Sequence, residues 1–485
     1  MNNLLSKKTF STLLFLLFSS FSFTQGYQIR LTLKPYTNGK VYLGYYYGKV
    51  KAVADSVILN EHSEGVFKGR EKLPGGIYFI VSPKREILFE VLIDQQQTFS
   101  ISADTQRLPG SIEFVGSSEN KTFLDYTAYM NLRGKEIGSL QSQLGEVKLK
   151  NDSLAIKAKM VKANEEVKNY RDLIQNKEPG SLLALLLLAL KDPVVPTTPK
   201  LANGHTDSLF AYKYYKFHYW ENISFTDDRL IRTPIFEPKL DRYYKDLVSP
   251  EPDSIIREID HMLLFSRTNK DMFKFLLVYF TQKFINPEYM GQDAVFIHLF
   301  EKYINTGQAD FFTEKYRKFV DDRAYSIMAN LIGQPAPNLE MTDTAGKPKT
   351  LYEIPANFVL VCFWDPTCSH CKETIPKLDS IYQSKWKYEG VQVFAVMVDG
   401  GLDNWRNFIR EHKLGEWINV YQTTAQHDKE ATAGRADYRQ LYDVYQTPQI
   451  YLLDNEKRIV AKKLTYQQVD EIINLKLKKV KSPSL

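Results

Sequence analysis

Residues 358 to 364 read FVLVCFW, seven apolar side chains without a polar interruption. A strand with one wet face alternates apolar and polar residues, so an unbroken short run is the pattern of a strand covered on both faces. Three residues later comes Cys368-Ser369-His370-Cys371, where a helix is expected to begin and run through LDSIYQSKW. Buried strand, short loop and helix start follow one another as they do in an α/β domain. The alternation continues with VQVFAVMV (391 to 398) as a second buried strand and DNWRNFIREH as a helix. TPQIYLLD and RIVAKKL then flank Asn455-Glu456 as a hairpin, and YQQVDEIINLKLKKV closes as a helix.

The other end of the chain sets the compartment. Lys7 and Lys8 precede an apolar run around Leu13 to Phe18, and small and polar residues follow. That is the layout of a secretory signal peptide, with cleavage expected near residues 22 to 26. A membrane anchor needs about 20 apolar residues, which this run does not supply. No cysteine stands near its end, so the mature N-terminus is expected to carry no lipid. The mature protein is expected to be soluble and periplasmic. With 63 Lys+Arg against 57 Asp+Glu, no nucleic-acid partner is expected.

Export makes the cysteine count informative. An exported chain stapled by disulfides carries many cysteines; the 485 residues here carry three, Cys362, Cys368 and Cys371. A Cys-x-x-Cys pair can bind metal, staple the chain or cycle between dithiol and disulfide. Structural zinc takes four ligands, and neither His412 nor His427 stands at partner spacing, so no metal is expected. A disulfide closing two residues removes little chain entropy, which leaves a staple weak. Redox use fits the context: unpaired backbone N–H groups and the dipole at a helix N-terminus favour the Cys368 thiolate, the attacking species. Cys371, one turn on and deeper, is the resolving thiol. Ser369 and His370 between them are expected to tune the pair, the imidazole by stabilising the thiolate.

Residues 26 to 116 read as an all-β sandwich or barrel, with strands at YQIRLTLK, KVYLGYYY, VADSVIL, GIYFIV, EILFEVLI, TFSIS and SIEFV. Tyr42, Tyr45, Tyr46 and Tyr47 are expected to pack as strand aromatics. Residues 117 to 328 read as helical. Phe123, Tyr126, Met130, Ile137, Leu140, Leu144 and Val147 form one apolar stripe, and Ile156, Met160, Val167, Tyr170 and Ile174 a second. They predict an antiparallel hairpin that turns at Asn151-Asp152-Ser153. Leu182 to Leu190 is expected to be a buried helix, and FAYKYYKFHYW (210 to 220) a helix with core aromatics and snorkelling lysines.

The last third, 329 to 485, resembles the thioredoxin superfamily, and within it the exported TlpA/ResA-like thiol–disulfide oxidoreductases. Phe363-Trp364 before the Cys-x-x-Cys, Pro376 in the helix, Thr447-Pro448 before QIYLLD, and the lead-in IGQPAPNLEMTDTAGKPKTL carry the resemblance. It implies a thioredoxin-like fold with Pro448 cis beside the two sulfurs, and substrate backbone pairing with the Thr447-Pro448 segment. It further implies Trp364 as a tuning residue, protein disulfides as substrates, a membrane thiol carrier as electron donor, and no cofactor. Thioredoxin has a buried acid six residues before the first cysteine, where this chain has Cys362. The ResA-like branch has a glutamate three residues after the second cysteine, where this chain has Thr374, with Glu373 one earlier. Glu373 or a water is left to accept the Cys371 proton.

The function expected is protein disulfide exchange through Cys368 and Cys371, running as a reductant. Competing readings are a cell-envelope binding protein with the thioredoxin domain as an appendage, a Dsb-like oxidant on the strength of His370, and a peroxidase. The last lacks the Pro-x-x-x-Thr-x-x-Cys spacing of peroxiredoxins.

Overall fold

The computed structural model describes residues 26–147, 149–200 and 203–481. The expected signal peptide, 1 to 25, lies outside them. The chain divides into two compact units, Met1–Asp241 and Arg242–Leu485.

The first unit opens with eight strands: β1 Tyr27–Lys34, β2 Lys40–Tyr47, β3 Val50–Ile58, β4 Glu64–Gly69, β5 Gly76–Val81, β6 Ile87–Ile93, β7 Thr98–Asp104 and β8 Glu113–Val115. They form two four-stranded sheets, β4-β1-β7-β8 and β3-β2-β5-β6. The apolar members of the alternating runs meet between the sheets: Ile29, Leu31, Phe99 and Ile101 from one, Val41, Leu43, Ile80 and Val91 from the other. A sandwich results. Strand β4, EGVFKG, buries only Phe67 and has glycines flanking its core, which hid it in the sequence. The tyrosines behave as strand aromatics: Tyr45 packs against Tyr78, and Tyr46 meets Phe79 edge-on while its hydroxyl donates to Glu90.

Helices α1 Ser118–Glu146 and α2 Lys150–Lys177 form the expected antiparallel hairpin, Tyr126 meeting Tyr170 and Arg133 meeting Glu166. The turn falls between Glu146 and Lys150. Asn151-Asp152-Ser153 instead occupies the first turn of α2, where Asp152 complements the helix dipole. The α1 start is stitched to the sandwich: Asn120, fully buried, accepts from the Leu92 N–H and donates to the Leu92 carbonyl, both at 2.8 Å. Helix α3 Leu182–Ala189 is buried as expected. Helix α4 Phe210–His218 corrects part of the expectation of core aromatics: none of its own residues is buried, and of the segment 210 to 220 Tyr219, just past its end, is the one that enters the core.

Helix α5, Phe236–Asp246, spans the division between the units. The second unit continues with α6 Pro252–Phe265, α7 Lys270–Ile285, α8 Asp293–Leu299 and α9 Glu314–Met328. The alternating segment follows: β9 Glu340–Asp343, β10 Pro348–Thr350, β11 Phe358–Trp364, α10 Ser369–Ser384, β12 Val391–Met397, α11 Leu402–Glu411, β13 Ile418–Tyr421, α12 Thr424–Thr432, α13 Tyr438–Leu441, β14 Gln449–Asp454, β15 Ile459–Lys462 and α14 Tyr466–Lys481. The seven strands order as β10-β9-β13-β12-β11-β14-β15, with β11, β12 and β13 parallel and β14 antiparallel to β11. This is the thioredoxin-like arrangement the resemblance implies, with β9–β10 as its extra hairpin. Every residue of β11 is buried. Phe358, Leu360, Cys362 and Trp364 face α10, α11 and α14; Val359, Val361 and Phe363 face the opposite core with Tyr438 and Tyr442. The two-sided burial read from FVLVCFW is thus literal, and it puts Cys362 in the core that holds Cys371.

Candidate active site

The site forms where β11 ends and α10 begins. Asp365-Pro366-Thr367 turns the chain: the Asp365 carboxylate accepts from the Thr367 N–H and hydroxyl, both at 2.7 Å, and its carbonyl from the Cys368 N–H at 3.2 Å. Asp and Pro are the residues such a turn uses. Gly400, at φ 96°, seals the turn from behind. A Cβ there would fall 2.4 Å from Asp365 Oδ1 and 2.8 Å from Pro366 Cδ.

Cys368 is the N-cap of α10 and is partly exposed; Cys371, one turn in, is buried, and no disulfide joins any of the three cysteines. The backbone N–H of Cys371, the Thr447 side chain and the backbone N–H of His370 hold the Cys368 thiol below the ordinary cysteine range, against the opposing pull of burial. The two N–H groups are orphan donors of a helix start, so an anion is stabilised there by geometry already present. Burial pushes the Cys371 thiol up to about 12, opposed by the Asp365 N–H, which donates to its sulfur at 3.4 Å. The neighbouring charge of Cys368 adds to that rise. One thiol is poised as thiolate and the other is kept protonated.

The opposite wall is the peptide at Thr447-Pro448, which is cis. The Cys368 thiol donates to the Thr447 carbonyl at 3.5 Å. Thr447 and Pro448 are both partly exposed, leaving backbone beside the sulfur open to a visiting chain.

The expected tuning residues divide. Ser369 and His370 are exposed, and among the described residues no hydrogen bond joins the His370 imidazole to a sulfur. His370 acts on Cys368 through its backbone N–H. Trp364 is fully buried against Phe408, so it contributes packing. Glu373 is exposed on α10 and has no hydrogen bond to Cys371. Cys362 is wholly buried, its thiol pushed far above the ordinary range by burial and then by the charge of Cys371. Asp365 and Gly400 were not picked out from the sequence, although an Asp-Pro turn and a Gly400-Gly401 pair are both legible signals. Among the described residues no cluster of three or more His, Cys, Asp or Glu could hold a metal, and no helix is long and apolar enough to cross a membrane.

Residues 332–462 match the AhpC/TSA family. Residues 27–123 and 155–324 match two families described as domains of unknown function, DUF4369 and DUF5106. The thiol-disulfide oxidoreductase ResA of Bacillus cereus (strain ZK / E33L) is 26% identical over 141 residues, 29% of this chain and 74% of that protein. A domain of a possible thiol-disulfide isomerase from Cytophaga hutchinsonii is 36% identical, covering 31% of this chain and 96% of that one, with a TM-score of 0.28. A thioredoxin-like protein from Bacteroides caccae is 24% identical over 58% of this chain and 99% of that one, with a TM-score of 0.44. The C-terminal region thus matches the AhpC/TSA family, has a thioredoxin-like fold, and has homologues named as ResA thiol-disulfide oxidoreductases.

Proposed function

We propose that this chain, whose residues 332–462 match the AhpC/TSA family, is a periplasmic oxidoreductase that reduces disulfides in exported proteins. A membrane thiol carrier recharges it. The observation that carries this reading is the asymmetry of the pair: an accessible Cys368 favoured as thiolate beside the Thr447 backbone, with a protonated Cys371 one turn behind.

The chemistry is two successive exchanges. The Cys368 thiolate attacks one sulfur of a substrate disulfide; an S–S bond forms to Cys368, and the second substrate sulfur leaves as a thiolate. Cys371 then gives up its proton and attacks the Cys368 sulfur, releasing the first substrate sulfur. Two electrons and the Cys371 proton pass to the substrate sulfurs, the second proton comes from solvent, and Cys368–Cys371 is left as a disulfide. Forming the mixed disulfide removes the negative charge from Cys368, and with it one of the influences that hold Cys371 protonated.

Direction follows from what stabilises the reduced pair. A strongly stabilised thiolate makes a disulfide oxidising. The His370 imidazole, which in sequence spoke for an oxidant, is exposed and unbonded to the sulfur, so backbone donors and Thr447 act without it. That supports a reductant. With dithiothreitol as electron source, the protein is expected to accelerate insulin reduction, and equilibration with glutathione to give a potential nearer the about −270 mV of thioredoxin than the about −120 mV of DsbA. A potential above about −180 mV, the value of protein disulfide isomerase, rules the reductant reading out. N-terminal sequencing of the protein recovered from the periplasm is expected to start near residues 22 to 26; recovery from the cytoplasm with Met1 intact contradicts export.

A further inference from the structure

The wall of the redox site opposite α10 takes its support from outside the AhpC/TSA match. The loop of residues 444 to 448, which ends in Thr447-Pro448, is pinned at both ends. At one end Asp443 is 2% exposed and sits at φ 53°, a left-handed backbone that a non-glycine residue adopts at a cost. At the other, the buried Gln449 amide donates back to the carbonyls of Tyr442 at 2.6 Å and Asp443 at 3.0 Å. Both carboxylate oxygens of Asp443 are held by cations. Oδ2 accepts from Lys463 Nζ at 2.7 Å, and Oδ1 pairs with Arg323 of α9. Arg323 stands 120 residues earlier in the chain, and its other guanidinium nitrogen donates to Asn286 at 3.2 Å.

A second buried tie lies alongside. Lys462 donates to the Asn330 carbonyl at 2.8 Å and side chain at 2.6 Å and pairs with Asp293 of α8. Asn330 in turn donates to the Leu441 carbonyl at 2.9 Å. A buried carboxylate stripped of one cation is strongly unfavourable, and the left-handed backbone of Asp443 gives it a way to move. That movement is a return to negative φ, which redirects the chain leading to Thr447.

We propose that Arg323 is a positioning residue for the redox site. Through Asp443 it sets the course of loop 444–448, and so the Thr447-Pro448 backbone against which a protein disulfide lies beside Cys368. The helices before the thioredoxin-like domain are then part of its substrate-binding apparatus. The inference rests on the protein-disulfide reading above.

The test is steady-state insulin reduction by the full-length chain with dithiothreitol. Arg323→Gln is expected to raise the KM for insulin about tenfold, equivalent to ~1.4 kcal/mol, with kcat held within about twofold. Arg323→Lys, which keeps the charge, is expected to restore most of the loss. A KM unchanged in Arg323→Gln, or a fall confined to kcat, overturns the proposal. Should Arg323→Gln fail to fold, Lys463→Gln carries the test, since its half-exposed side chain removes the other cation from the same carboxylate. There KM is expected to rise about twofold to threefold, a few tenths of a kcal/mol or more, and an unchanged KM overturns the idea. A wild type inactive on insulin overturns the functional reading and this inference together; an active wild type with unaltered variants overturns this inference alone.

Discussion

The sandwich and the seven-stranded sheet are both β structures with tightly filled cores, yet only one presents chemistry. In β1, Ile29, Leu31 and Leu33 turn inward while Arg30 and Lys34 stay exposed, so the strand's two faces do different jobs. In β11 both faces are committed to packing, and nothing on the strand itself can meet a substrate. Function is displaced to the strand's end, where a helix start supplies unpaired N–H groups and the cis loop supplies free backbone. Two-sided burial makes the strand a rigid mount, and rigidity is what an end-on site needs.

The largest effect tests whether chemistry is confined to that end. Cys368→Ser is expected to abolish insulin reduction, a loss of about a thousandfold or more, while thermal unfolding is unchanged. Residual turnover above a few per cent would break the comparison by placing activity elsewhere. Next, Ile101→Ala in the sandwich core is expected to lower that unit's stability by roughly 2 to 5 kcal/mol. The alkylation rate of Cys368 should not change with it. A matched fall in Cys368 reactivity would show the two regions to be one mechanism.

A smaller effect separates the two thiols by pH. The unfolded-state pKa of a cysteine is about 8.5, whereas burial holds Cys371 protonated up to about 12. Between those values the unfolded chain has released a proton that the folded chain retains, so the stability of the reduced protein falls as pH rises through the window. Below it Cys371 has no influence. Cys371→Ser is expected to flatten part of that slope in denaturant titrations from pH 8 to 11, and an identical slope would show that Cys371 ionises freely. Cys368 has the opposite sign: its depressed pKa stabilises the reduced fold, and that contribution is lost as pH falls through its folded value. The smallest effect concerns His370, whose exposed imidazole is expected to matter little. His370→Ala should shift the potential by less than about 30 mV, which is ~1.4 kcal/mol in a two-electron couple. A larger shift restores the imidazole as the tuning group.

How much of this was legible depended on sequence distance. FVLVCFW, the cysteine pair and Thr447-Pro448 could be read because each is a local pattern with a single favoured structure. The resemblance then joined segments that no periodicity connects. Within the site, Asp365 and Gly400 escaped notice because they act by shaping a turn, and shape is not written in any one side chain. For His370 the side-chain type suggested a charge, whereas its exposed place on the first turn brings its backbone N–H to the Cys368 sulfur. Asn151-Asp152-Ser153 misled similarly, since residues that favour turns also favour first helical turns. The Arg323–Asp443 tie had no local signal, for it joins two helix-and-loop positions more than a hundred residues apart.

The central claim is that Cys368 attacks protein disulfides and Cys371 completes the exchange. It is tested most directly by expressing Cys371→Ser, quenching with acid, and identifying by mass spectrometry whatever is bound to the chain. The account predicts exported proteins joined by reducible bonds to Cys368, absent when Cys368 is also replaced by serine. Adducts that persist in that double variant, or none at all in the Cys371→Ser protein, would contradict it.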